Sequence, residues 1–220
     1  GWLVGEPNKG LAAMFTMMNS ARLNVGLEGV GVAEAALQAA TEYAGQRKQG
    51  AAPGVEGSAA IIHHPAIQRS IASMAAATQA ARAICYACGA AADLAMHAAD
   101  PAVRASAKMR EDFLTPLAKG WSTDRAVDVC NTGVQIHGGM GFMGETAAAQ
   151  LYLDARILPI YEGTNGIQAM DLIGRKLSIN NGAAAAELME EARQTAREAR
   201  ETNDPRFVSI ADRLEDAIDV

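Results

Sequence analysis

Apolar residues recur at helical spacing from the first turns of the chain. Leu11, Met14, Phe15 and Met18 share one face, and Ala-rich turns from Val32 to Ala44 continue it. The pattern predicts one long helix from about Asn8 to Gln49. Gly26, Gly29 and Gly31 stand inside it, each costing about 1 kcal/mol against Ala in an exposed helix, so close packing against another backbone is their expected compensation. A breaker cluster of Gly50, Pro53, Gly54 and Gly57 follows. Pro65 then stands where a first helical turn accepts proline, and Ile67, Ile71, Met74 and Ala81 carry a second helix to about Ala99. Asp100-Pro101 supplies a turn and a new N-terminus, from which a third long helix runs to about Ile136.

The pattern then shortens. A glycine-rich loop from His137 to Gly144 precedes a helix from about Glu145 to Arg156, a turn containing Pro159 and Gly163, and a helix from Thr164 to Leu177. Asn180, Asn181 and Gly182 break the periodicity. Leu188, Met189 and Ala192, then Phe207, Ile210 and Leu214, predict two amphipathic helices around Asp204-Pro205. Long helices joined by short connections become antiparallel neighbours. The expected fold is all-α: an antiparallel helical bundle over residues 1–178, followed over 179–220 by a truncated helical appendage.

Composition supports helix over strand. Hydrophobic residues make up 50% of the chain, mostly Ala, Leu, Met and Ile, while aromatics are 5% and β-branched runs are scarce. A net charge of -6 opposes nucleic-acid binding, which needs a basic stripe to replace phosphate counterions. From Ala183 onward there are 10 acidic and 5 basic side chains, so the appendage carries most of that charge. No run of about 18 apolar residues predicts a membrane span, and no basic stretch followed by an apolar one marks a targeting segment. Three cysteines without disulfide spacing point to a reducing compartment, the cytoplasm. The opening at Gly1, in a stretch containing Gly, Pro and Asn, reads as the end of a loop in progress, which predicts a piece of a longer protein.

Two segments carry candidate chemistry. Gln135-Ile-His-Gly-Gly-Met-Gly-Phe142 is followed by Tyr161-Glu-Gly-Thr-Asn-Gly-Ile-Gln168. A Gly-Gly-x-Gly loop alone is ordinary turn chemistry. The ordered pair resembles the signature of the acyl-CoA dehydrogenase family, and Arg22 within Asn-Ser-Ala-Arg-Leu and Arg47 within Tyr-Ala-Gly-Gln-Arg match family positions. The resemblance covers residues 1 to 178. Many smaller members carry a Phe-Gly pair after the second arginine, where this chain has Gln49-Gly50. That feature and Ile61-Ile-His-His-Pro65 resemble the larger members with an additional C-terminal domain, a subgroup that includes methylthiopropanoyl-CoA dehydrogenases.

The resemblance implies an FAD-dependent oxidation of an acyl-CoA thioester to a trans-2-enoyl-CoA, with electrons passing to an electron-transfer flavoprotein. Glu162 is the implied base for the substrate α-proton. Such a base needs a carboxylate whose basicity is raised in an apolar pocket, and Ile157, Leu158, Ile160 and Tyr161 make an apolar approach. A first-turn glutamate favoured by the helix dipole is the structural alternative. Some family members place the base immediately before the position of Arg22. That residue is Ala21 here, which accepts no proton.

Further roles follow from the same resemblance. Thr164 and Asn165 are implied FAD contacts, although Thr164 also suits a purely structural helix cap, and Gly166 stands where the family usually has Gln. Gln135, Gly138, Gly139 and Gly141 resemble the segment that meets the adenine-diphosphate part of FAD across a subunit interface. Arg47 would bond the pyrophosphate, its alternative being a solvated surface arginine. Arg22, Tyr161 and Gly163 are implied substrate contacts, with Arg22 otherwise a buried structural partner. A homodimer or homotetramer is expected, and the isolated chain is expected to bind FAD weakly because the family's preceding domains also hold it. A non-catalytic helical oligomerisation module and an acyl-CoA oxidase are the rival readings. Adjacent His63 and His64 lack partners at metal-ligand spacing, and Cys85 and Cys88 on an apolar helix read as packing thiols, so no metal is expected.

Overall fold

The computed structural model describes residues 1–202 and 204–219, with Ala12 described by its backbone alone. Two compact units emerge, Gly1–Asp171 and Leu172–Val220. The first contains α1 (Gly10–Gln46), α2 (Pro65–His97), α3 (Pro101–His137), α4 (Gly139–Phe142), α5 (Ala147–Ile157) and α6 (Asn165–Asp171). Its fold is all-α, as predicted; the described residues form no strand, only a single antiparallel bridge between Lys48 and Ala60.

The starts of α2 and α3 follow from local chemistry. Pro65 and Pro101 occupy their first turns, where a missing N–H costs nothing, and the Asp100 carboxylate accepts a hydrogen bond from Ala102 N at 2.8 Å. Helix α3 packs against both α1 and α2. The core is built mostly from alanine: Ala33, Ala36, Ala40 and Ala44 of α1 meet Ala126, Val129, Cys130 and Ile136 of α3, with Met74 of α2 and Ala155 of α5.

Small side chains bring the α1 and α3 backbones together. A Cβ on Gly26 would lie 2.6 Å from the Ala118 carbonyl oxygen, and one on Gly29 3.3 Å from that of Ser122. Close packing therefore compensates for glycine at both positions. Gly31 departs from the expectation: it is exposed, with nothing within 4 Å of an added Cβ.

The breaker cluster after α1 is tied down by its own backbone. Gln49 N donates to Ala59 O at 2.9 Å, Ala59 N to Gly50 O at 2.9 Å, and Ile61 N to Arg47 O at 2.8 Å. The end of α1, with Arg47, is thereby pinned to the approach to α2. The predicted glycine-rich loop differs in containing the single helical turn α4, whose Gly141 packs so tightly on α3 that a Cβ there would lie 2.5 Å from Val134 O.

The second unit begins with a π-wound turn, Leu172–Lys176, and a 3-10 turn, Ile179–Gly182, in which Asn180 and Asn181 take left-handed conformations. Two helices follow, α7 (Ala183–Glu201) and α8 (Pro205–Ile218), capped between them by the Asp204 side chain on Arg206 N at 2.9 Å. They pack against each other, Ala184, Ala196 and Ala211 are buried, and Arg200 pairs with Asp212 at 2.7 Å and with Glu215. The division falls after Asp171, where the backbone changes to π winding; the sequence pattern instead continues the helix to Leu177 and breaks after residue 178. A 3.6-residue period does not reveal such a turn.

Gly26→Ala should lower stability by about 1–3 kcal/mol through overpacking against Ala118. Gly31→Ala should raise it by up to about 1 kcal/mol, since an open helical glycine only costs backbone entropy. Denaturant unfolding of the two variants beside the wild type measures both signs.

Candidate active site

The connection between α5 and α6 is short and unusually bent. Glu162 has φ 54° and Gly163 has φ 83°, two successive left-handed residues, of which only the glycine escapes the Cβ penalty. Tyr161 N donates to Ile157 O at 3.3 Å and Asn165 N to Pro159 O at 3.1 Å, closing the turn on itself. Glu162 is half-buried, and its backbone N–H has no acceptor among the described residues. The expected apolar approach is only partly enclosed. Leu158 is buried, whereas Ile157 and Ile160 are exposed.

Beneath this turn lies a polar strap that sequence reading missed. Lys119 of α3 is 0% exposed, and its Nζ donates to Gly163 O at 2.8 Å and to Asn165 Oδ1 at 2.9 Å. Burial pushes its pKa down to about 8; the Arg22 cation acts in the same direction, and the Asp124 and Glu162 carboxylates oppose them. Asn165 Nδ2 donates to Gly120 O at 2.9 Å and to Asp124 Oδ1 at 2.7 Å. Gln168, also buried, donates from Nε2 to Gly163 O at 3.3 Å and to Glu162 O at 3.4 Å.

Arg22 of α1 is buried beside the same turn. Its Nη1 stands 3.5 Å from Asp171 Oδ2, and its Nη2 would be 3.7 Å from a Cβ on Gly163. The Tyr161 hydroxyl donates to the exposed Glu28 carboxylate; burial first, then Glu28, pushes that hydroxyl up to about 12. Thr164 Oγ1 accepts from Ile167 N at 3.4 Å and so caps α6. The structure thus gathers Arg22, Tyr161, Glu162, Gly163, Thr164 and Asn165 at one place. The Asn165 side chain is committed to α3, which leaves its backbone for any ligand. The signal for Lys119 was faint: one lysine in mid-helix between the small residues Ala118 and Gly120. Gln168 stood at the end of the second motif, and neither Asp171 nor Glu28 carried a pattern.

A second group of predicted residues lies in a groove of about 430 Å³ that shares no residue with the Glu162 turn. It is lined by Tyr43, Arg47, Gln49, His137, Gly138 and Gly139, among others. The Tyr43 and His137 rings stack with centroids 4.5 Å apart, and His137 Nδ1 lies 2.7 Å from Gly133 O, which orients the imidazole. Arg47 is exposed and has no acidic partner among the described residues. Gly141 packs inward and Gln135 is exposed on α3; neither lines the groove. The thiols lie elsewhere: Cys85 and Cys88 are buried, and burial pushes Cys88 up to about 11.

Comparison with known proteins identifies the family. The family model of the acyl-CoA dehydrogenase C-terminal domain matches residues 8–178. The chain is 52% identical over 194 residues to a 3-methylmercaptopropionyl-CoA dehydrogenase of Ruegeria pomeroyi, covering 86% of this chain and 32% of the relative. It is 35% identical over 193 residues to a butyryl-CoA dehydrogenase of Syntrophomonas wolfei, covering 83% and 31%. Among solved structures, an acyl-CoA dehydrogenase complexed with FAD from Bacillus anthracis superposes with a TM-score of 0.68 at 30% identity, over 89% of this chain and 33% of that one. Caenorhabditis elegans ACDH-11 in complex with C11-CoA shares the fold, with a TM-score of 0.76 at 21% identity over 98% and 36%. The chain therefore spans about a third of the length of the curated relatives it matches.

The depressed Lys119 pKa has a thermodynamic sign. Between about 8 and the ordinary 10.5 the folded chain has released this proton while the unfolded chain still holds it, so the cost of the buried charge is full below about 8 and is relieved as pH rises. The stability of the wild type relative to Lys119→Met should therefore increase from pH 8 to 10. Denaturant midpoints of both proteins across that range test this, and a flat difference contradicts it.

Proposed function

Since the chain belongs to the acyl-CoA dehydrogenase family through its C-terminal domain, we propose that it serves the α,β-dehydrogenation of an acyl-CoA thioester to a trans-2-enoyl-CoA, as one domain of a longer flavoprotein. The observation that carries this reading is the Glu162 turn. A glutamate held in a left-handed conformation by Lys119 and Gln168 is strained, and such strain persists only where the surroundings over-determine it.

Glu162 takes the α-proton. Its carboxylate lies beside a half-enclosed apolar approach, and its own N–H is available to a thioester oxygen as negative charge develops there. The Arg22–Asp171 pair behind the turn holds α1 against it, and Tyr161 is oriented by Glu28.

The groove around Arg47 fits the diphosphate part of FAD. It offers a guanidinium with no acidic partner among the described residues, beside Gly138 and Gly139, at which an added Cβ would meet nothing within 4 Å. When bound, FAD supplies the acceptor for the hydride leaving the substrate β-carbon. Thr164 and the Asn165 backbone are the proposed further contacts, and an electron-transfer flavoprotein the proposed electron acceptor. We assign residues 179–220 to the start of an additional helical domain, supported by the length of the relatives. No helix of the described residues is long and apolar enough to cross a membrane, and a cytoplasmic homo-oligomer remains the proposal.

The test is the visible flavin spectrum of the full-length protein and its Glu162→Gln variant, mixed without an electron acceptor with propanoyl-, butanoyl- and 3-methylmercaptopropanoyl-CoA. The wild type should bleach with at least one thioester. The variant should bleach about 10²–10⁴-fold more slowly, the range typical of a lost general base. Equal rates would assign the base elsewhere, and a full-length protein without flavin would favour a helical assembly module.

A further inference from the structure

We propose that Lys119 is a positioning residue for proton abstraction: its buried Nζ, bonded to Gly163 O and Asn165 Oδ1, straps the Glu162 turn to α3 and so sets the aim of the Glu162 carboxylate. This rests on the reading of Glu162 as the base.

A lysine with no exposed surface is costly, because its ammonium has left water. Packing alone would be served equally well by Met or Leu. What Lys119 adds is donors, and both acceptors it finds lie on the segment that bends left-handed at Glu162. The turn cannot hold itself. Its closing bonds come from Tyr161 N and Asn165 N and leave the carbonyl of Gly163, the residue following Glu162, to side chains. Lys119 at 2.8 Å and Gln168 at 3.3 Å are those side chains. The shorter, charge-assisted bond is the stronger.

The strap has a second anchor one turn further along α3. Thr123 Oγ1 lies 3.3 Å from the same Asn165 Oδ1, and Asn165 Nδ2 returns a bond to Gly120 O. Lys119 thus joins α3 to both ends of the Gly163–Asn165 segment. Losing it leaves the Gly163 carbonyl with only the longer Gln168 bond, and a displacement near 1 Å at a reacting group costs about 100-fold in rate. Substrate affinity, spread over the rest of the thioester, should change little.

The experiment isolates the base step in the full-length flavin-loaded protein. The probe is an acyl-CoA thioester with sulfur in place of the β-carbon, which has no β-hydride to give up; exchange of its α-hydrogens into D2O is followed by NMR at saturating thioester. Wild type should exchange and Glu162→Gln should not. Lys119→Met should exchange about 100-fold more slowly, with flavin content and thioester affinity at wild-type levels. Lys119→Gln, which keeps a donor in place of the ammonium, should recover part of the rate and decides the matter if the methionine variant does not fold. Wild-type exchange in both lysine variants overturns the inference while leaving Glu162 as the base. Parallel loss of flavin, affinity and exchange in both, or failure of both to fold, also overturns it, making Lys119 a general support. Equal exchange in wild type and Glu162→Gln instead refutes the reading on which the inference rests.

Discussion

The backbones of α1 and α3 meet at Gly26 and Ala118, where the space between them excludes even one methyl group. Everything at the candidate active site is set by this approach. One turn before Gly26 on α1 stands Arg22; one residue after Ala118 on α3 stands Lys119. The seam therefore delivers two buried cations, one from each helix, to the underside of the same turn. An alanine-rich core contributes little apolar area per residue, so its stability rests on bringing many atoms into contact at short range. Helices of 37 and 37 residues supply the length over which that works.

Two cations in one buried place repel each other, which is part of why the Lys119 pKa falls. They are tolerated because each has its own acceptors: Asp171 for Arg22, and the Gly163 carbonyl with Asn165 for Lys119. Those acceptors all come from the chain between α5 and the end of α6. The turn and the cations thus stabilise each other. Glu162 is carried on the outer side of this arrangement, left-handed at its own backbone, with Gln168 on its carbonyl and Lys119 on that of Gly163, so it is held in place while only half-buried.

The helices were legible because their signals are local. Pro65 and Pro101 mark starts, Asp100 and Asp204 cap helices through their own side chains, and the breaker cluster at 50–58 ends α1. Gly26 and Gly29 were readable as close-packing positions, but the same reasoning applied to Gly31 failed, since nothing in a helical period distinguishes a glycine facing a neighbour from one facing water. The loop glycines divided similarly. Gly138 and Gly139 line the groove with Arg47, while Gly141 packs against α3.

By itself the sequence determined the helical class, the order of the helices, and the two motifs whose pairing identifies the family, because propensity, capping and motif spacing are properties of neighbouring residues. Only the tertiary structure decided which charges are buried. Lys119 looks along the chain like any helical cation, and Arg22 left a substrate contact and a buried partner both open; the partners that bury them lie 149 residues from Arg22 and 44 from Lys119. A side chain's solvation is fixed by what folds over it, and that covering is supplied by distant segments whose arrival no local pattern records.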